Sequence, residues 1–326
     1  MIKLNIFITM EYLSNGILEL EVSLRGAELQ SLRRVACPTE YLWQGDPAYW
    51  DRRSPILFPN VGKVWQDTIR VGDEAYTLHQ HGFLRDMLFR KTADEDRHLA
   101  FVCDSDEESR QNYPFDFRVQ IDYRLLRNVL TIEWTVENTG NLPMPFQIGA
   151  HPGFNHIHFH PDAPIHGYLS ADADSPWQSS RCDGGFVHQT VPVTKASPDF
   201  IFPQSEVPKE STECALDTFP IDIPHDGLLP LTNETFACDT ILEMTGRMHR
   251  ITLHDSDGRP RVTVRHQMPI TAIWSPCGGR APFVCIEPWE GCCDPEGYTG
   301  QLRDRHFSHI LSPHDLWHTS YDIIIE

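Results

Sequence analysis

The strongest constraint on this chain lies in residues 117–137. Phe117, Val119, Ile121 and Tyr123 alternate with Arg118, Gln120 and Asp122. Arg127-Asn128 supplies a turn, after which Leu130, Ile132, Trp134 and Val136 alternate with Thr131, Glu133, Thr135 and Glu137. Successive side chains of a strand point to opposite faces, so this period gives each segment one buried and one wet face. Wound into a helix, the same apolar residues would be scattered around its axis. The segments therefore predict a long antiparallel hairpin.

The pattern recurs along the chain. Leu18, Leu20, Val22 and Leu24 alternate with Glu19, Glu21 and Ser23, and Gly26–Leu32 reads as a turn and a second strand. Met1–Thr9 alternates like a first strand. Arg250–His254 and Arg261–His266 flank the turn Asp255–Gly258, and Thr271–Trp274, Phe283–Ile286 and Ser320–Ile325 complete the set. Helical periodicity is weak, with one polar turn expected at Ser105–Asn112. Many strands separated by turn signals predict an all-β fold, a large antiparallel sandwich. Pro161–Pro230, rich in Pro, Asp and Ser, reads as an insertion or long loops over one end of the sheet. Residues 1–326 are expected to form a single domain.

Composition narrows the function. A formal net charge of −19 disfavours nucleic acid and anionic membranes as partners. No apolar run approaches the roughly 20 residues that span a bilayer. The N-terminus is too short and too polar for a signal peptide, so a cytoplasmic protein is expected. Nine cysteines, an odd number, cannot all pair within the chain, and they fit reduced thiols better than a disulfide framework. Cys292-Cys293 reads as buried thiol rather than a redox centre.

Five stretches could carry chemistry. In Phe283–Asp294 a short apolar strand runs into Glu287, and Pro288 is expected to end its ladder. That leaves a carboxylate at a strand mouth beside Trp289. Burial there raises its pKa and suits it to general-base work, while Trp289 offers a face on which a sugar ring packs. Strand-end glutamates also serve in ion pairs, and the residues alone leave both readings open. Tyr41–Lys63 combines aromatics, prolines, Arg52 and Arg53, which decorate a surface or grip a ligand. In His79–Asp86, Gly82 permits close approach to His81, and Arg85 faces a substrate oxygen, a phosphate or Asp86. Phe146–Phe154 puts His151 at a strand end, in the same local setting as Glu287. On a strand, His156, His158 and His160 would share one face; a solvated edge fits them better than a metal site.

Taken in order, five motifs carry a resemblance. They are Gly26-Ala-Glu-Leu-Gln-Ser-Leu, Leu42-Trp-Gln-Gly-Asp-Pro-Ala-Tyr-Trp, His81-Gly-Phe-Leu-Arg-Asp, Ile148-Gly-Ala-His-Pro-Gly-Phe and Cys285-Ile-Glu-Pro-Trp-Glu-Gly. With them the chain resembles the aldose 1-epimerase (mutarotase) superfamily, and its LacX-like branch in particular. The resemblance implies a galactose mutarotase-like β-supersandwich whose concave face holds a free sugar. It implies Glu287 as general base and His151 as general acid, with His81 binding near the ring oxygen. Asp239 matches a substrate-binding aspartate, and Lys63 stands where many relatives carry arginine, replacing a planar fork with a point charge. The implied activity is exchange of the α and β anomers of a hexose, which needs no nucleotide, metal or redox cofactor. Two alternatives remain: epimerisation of a hexose 6-phosphate gripped by Arg85 with Arg52 or Arg53, and sugar binding without catalysis. Monomer and homodimer are equally open.

Overall fold

A computed structural model describes residues 9–173, 177–180, 182–183, 185–187, 218–221, 227–237 and 239–326. The expected hairpin is present and longer than its sequence signature. Phe117–Leu126 pairs with Val129–Asn138 over ten register positions, from Phe117 opposite Asn138 to Leu126 opposite Val129. Its inward residues, including Phe117, Val119, Ile121, Ile132, Trp134 and Val136, are fully buried. The hairpin lies within a nine-stranded antiparallel sheet. Beside it runs the C-terminal strand Leu316–Ile325, followed by Pro260–His266, Arg250–His254, Gly167–Ala171 and Leu229–Leu231; on its other side lie His98–Asp104 and Arg90–Glu95. The N-terminal strands from Met10 to Glu40 form a separate four-stranded sheet. The polar turn expected at Ser105–Asn112 is a helix over Glu107–Asn112, closed by a reciprocal cap between Asp106 and Ser109.

A second sheet positions the site. Its strands are β1 (Ile56–Leu57), β2 (Ile148–Ala150), β3 (Gly153–Asn155), β4 (Trp177–Ser180), β5 (Thr218–Ile221), β6 (Ile241–Glu243), β7 (Ile270–Trp274) and β8 (Phe283–Glu290). The order is β5-β4-β6-β7-β8-β2-β1, with β3 also pairing β8. The even-numbered residues Val284 and Ile286 of β8 join the main core with Trp134 and Phe154. Its odd-numbered residues face the other way, Phe283 and Cys285 against Trp43, Trp50 and Trp274, and Trp289 among Leu57, Val61 and Ile270. β8 is thus buried on both faces, which is why its sequence is a continuous apolar run rather than an alternation.

Glu287 does not end its strand. The ladder continues through Glu287 opposite Ala272, Pro288 opposite Thr271 and Trp289 opposite Ile270. Ladder donors alternate between the two neighbours, and Ile286 N–H donates to Pro152 O on the β2/β3 side. The missing donor of Pro288 therefore faces that side too, where His151-Pro152 separates β2 from β3. The register sets Ala150 opposite Pro288, and the Ala150 carbonyl accepts instead from the Trp289 indole N–H, so the central strand tolerates the proline.

Two further expectations need correction. Pro161–Pro230 does not merely loop over one end, since Gly167–Ala171 extends the nine-stranded sheet while β4 and β5 extend the other. These edge strands of four or five residues are too short to show an alternation. His156–His160 is a turn rather than a strand. His156 is buried against Phe159 and His166, and burial lowers its pKa to about 3, with His166 adding to the effect. Only His158 and His160 are exposed. Most of the Met1–Thr9 strand and all of residues 188–217 lie outside the described residues. Among the described residues no helix is long and apolar enough to cross a membrane.

Candidate active site

Strand β8 pairs with β2 near its C-terminal end and with β3 near its N-terminal end. Between those pairings the chain crosses as His151-Pro152, level with Glu287. The imidazole thereby comes to 3.3 Å from the carboxylate, Nε2 to Oε2. Trp289, two residues along the same face, donates its indole N–H to Ala150 O at 3.2 Å and so ties β8 to the residue before His151. Gly149 makes room for that ring, since a Cβ there would lie 2.8 Å from Trp289 Cδ1.

Aromatic walls surround His151. Trp50 stacks on it with ring centroids 4.7 Å apart, and Trp274 and His81 meet it edge-on at 5.6 and 5.4 Å. Burial lowers the His151 pKa to about 3, assisted by the charges of Arg85 and Arg52. Glu287 is 1% exposed, and burial raises its pKa well above the usual carboxylate value, with Asp239 adding to the rise. Both shifts, each caused chiefly by burial, favour the neutral form of the side chain.

His81 sits in a tight loop at φ +66°, followed by Gly82 at the same angle. Gly82 is obligatory, because a Cβ there would lie 2.1 Å from Phe58 O. The His81 N–H donates to Gly62 O at 3.0 Å, and the Gly62 N–H donates back to His81 Nδ1 at 3.1 Å. Nδ1 is thus an acceptor, and Nε2 lies 3.2 Å from the Gln80 side-chain amide nitrogen. Burial holds this imidazole well below its ordinary pKa, with His151, Arg85 and Arg52 acting in the same direction.

Glu287, His151, His81, Arg85, Lys63, Asp239 and Trp289 all line one cavity of about 360 Å³. That is within the roughly 300–1,000 Å³ usual for small-molecule sites. Arg85 donates to Gln80 O at 2.8 Å, and burial lowers its pKa to about 10, so it remains a cation at neutral pH. Lys63 Nζ lies 5.5 Å from the centre of the Phe186 ring. Asp239 accepts from Thr240 Oγ1 at 3.2 Å. Arg52 and Arg53 stay out of the lining. Arg52 pairs with both oxygens of Asp86 at 3.2 Å, and Arg53 reaches Gln30. Cys292 and Cys293 are both buried, as expected, and Cys293 contributes to the wall.

Sequence reasoning missed Trp50, Trp274, Gln80, Thr240 and Leu242, which also line the cavity. Trp50 lies inside a stretch singled out for its aromatics, so composition carried that signal. Trp274 and Leu242 are strand residues of ordinary core type, and nothing in their pattern marks them.

The sequence model of the aldose 1-epimerase family matches residues 12–298. The chromosomal protein LacX of Lactococcus lactis subsp. lactis is 25% identical over 319 residues, which span 96% of this chain and 98% of that protein. Among solved structures, a galactose mutarotase-like protein from Lactobacillus casei superposes with a TM-score of 0.81 at 26% identity, covering 98% of this chain and 100% of that one. A galactose mutarotase related enzyme from Lactobacillus acidophilus gives the same TM-score at 24% identity, covering 98% and 97%. The fold is thus the galactose mutarotase-like sandwich.

Proposed function

We propose that this chain, which belongs to the aldose 1-epimerase family, interconverts the α and β anomers of a free hexose by acid–base ring opening. The observation that carries the reading is the contact between Glu287 and His151 inside a cavity that also presents His81 and Trp289. Glu287 takes the proton of the C1 hydroxyl and His151 delivers one to the ring oxygen. The ring opens, the bond between C1 and C2 rotates, and closure in the reverse sense gives the other anomer. The reaction conserves protons, and a pair sharing one proton is the stoichiometry it requires. Glu287 Oε2 and His151 Nε2 stand 3.3 Å apart, and a polar sugar entering beside them favours the carboxylate–imidazolium form that starts the cycle. His81 hydrogen-bonds a sugar oxygen, Trp289 offers an apolar face to the ring, and Asp239 accepts from hydroxyls.

The test is saturation-transfer NMR of anomer exchange with glucose and galactose. Glu287→Gln is expected to lower kcat by about 10²–10⁴-fold while calorimetry still detects sugar binding. Unimpaired exchange in that variant would remove Glu287 from its role, and binding without exchange by the unaltered protein would favour a sugar-binding module.

One observation favours a second reading. Lys63 and Arg85 both line the cavity, and Arg85 Nε is buried without a hydrogen-bond partner. Two cations of this kind suit a hexose 6-phosphate. Faster exchange of glucose 6-phosphate than of glucose, measured in parallel, would select it.

A further inference from the structure

The odd-numbered face of β8 sets a third reactive side chain beside the acid–base pair. Cys285 lies two residues before Glu287 and is fully buried. Its Sγ, an imidazole nitrogen of His151 and a carboxylate oxygen of Glu287 all fall within 4.8 Å of one another. Glu287 Oε2 approaches His151 Nε2 at 3.3 Å without forming a hydrogen bond, and His151 Nδ1 has no hydrogen-bond partner, although these residues are only 1% and 7% exposed. A buried polar group without a partner has lost its water and gained nothing in exchange, so a ligand that supplies the missing interaction is favoured.

We propose that His151, Cys285 and Glu287 form a binding site for one thiophilic divalent cation of the Zn²⁺ and Co²⁺ class, which inhibits whatever chemistry the cavity performs. Thiolate sulfur, imidazole nitrogen and carboxylate oxygen are the donors such ions take, whereas Mg²⁺ and Ca²⁺ select oxygen alone. Tetrahedral coordination at about 2.0–2.3 Å places ligand atoms roughly 3.3–3.8 Å apart. The farthest pair among the three atoms must close by about 1 Å. The fourth position is left to water or to a sugar hydroxyl from the cavity that His151 and Glu287 line. Two of the donors become anions on binding and balance the dication, and Asp239 lies near enough to act on Glu287. Arg85 and Arg52 oppose it, but Asp86 offsets both, at 4.0 and 3.2 Å. Because the ion occupies the carboxylate and the imidazole together, neither remains able to move a proton. Binding of the ion does not depend on which sugar enters, or on whether any sugar reacts.

The probe is Co²⁺ alone, titrated into metal-free full-length protein and followed by absorption spectroscopy. One equivalent is expected to produce a near-ultraviolet thiolate-to-cobalt charge-transfer band, which Zn²⁺ then abolishes. Cys285→Ala should lose that band, and Glu287→Gln should bind Co²⁺ about 100-fold more weakly or worse, each with the near-ultraviolet circular dichroism of the unaltered fold. Lack of a thiolate band in the unaltered protein would overturn the proposal. So would an undiminished band in the two variants, which places the ion on other cysteines. Should Cys285→Ala fail to fold, Glu287→Gln alone decides. The spectrum is read without sugar, so its outcome is independent of anomer exchange.

Discussion

At the scale of the residue, Glu287 and His151 make opposite departures from their ordinary pKa values for one reason, which is burial. Below the His151 value of about 3 the pair would hold two protons, and above the raised Glu287 value none. Between those limits it holds the single proton that anomer exchange uses. The consequence is that kcat/KM should show no fall near the usual imidazole value as the pH is lowered to about 5.5. An inflection close to pH 6.5 in an anomer-exchange profile would mean that His151 is solvated and titrates normally. The same burial makes Glu287 a stability liability. Its folded pKa lies above its unfolded one, so its contribution is intact below the unfolded value and is lost as pH rises. Glu287→Gln should therefore raise the melting temperature at about pH 7.5 and have little effect near pH 4.5, as read by scanning calorimetry. An unchanged difference at the two pH values would show that the carboxyl is not held neutral.

At the scale of the element, the site is assembled from one strand, one break between strands and one loop, and these differed in legibility. Glu287 and His151 stood out because each is a polar residue set between an apolar run and a proline, and His81 because a glycine follows it. That signal was correct for His151, where Pro152 does separate β2 from β3. It misled at Glu287, since Pro288 looks like a stop until the facing Ala150 carbonyl is seen to take the Trp289 indole N–H instead. Ala150 lies far away in sequence, so no local pattern reveals it. Trp274 and Leu242 stayed hidden because a residue facing a cavity and one facing the core share the same letters. The edge strands of residues 167–231 were too short to register. The His81 loop yields the prediction that belongs here. In Gly82→Ala the added Cβ meets the Phe58 carbonyl, so the loop must shift and carry His81 with it. A displacement of about 1 Å can cost roughly 100-fold, and the loss should fall on kcat/KM while circular dichroism stays native. Undiminished kcat/KM would show that His81 need not sit where it does.

At the scale of the whole molecule, the buried histidines dictate how the protein responds to acid. His151 and His156 are held at a pKa of about 3 and His266 at about 4, each chiefly by burial, and His81 is pushed well below its ordinary value. Each folded pKa lies below the unfolded value of about 6.5. The unfolded chain therefore binds protons that the folded chain refuses, and stability present above about pH 6.5 is lost as pH falls. At pH 5 each of the three numbered histidines accounts for about 2 kcal/mol, or about 6 kcal/mol together. That rivals the roughly 5–15 kcal/mol net stability of a typical folded protein. Glu287 works in the opposite sense over the same window, but it is one group against four. At this chain length the balance corresponds to a fall in melting temperature on the order of 10 °C between about pH 7.5 and pH 5. The contributions are separable, because His156 and His266 lie outside the cavity lining. Replacing His156 by Gln should remove about a third of the acid-induced drop while leaving anomer exchange intact. A melting temperature indifferent to pH in this range would mean that water reaches these imidazoles in the folded protein, and the neutral state assigned to His151 would fall with them.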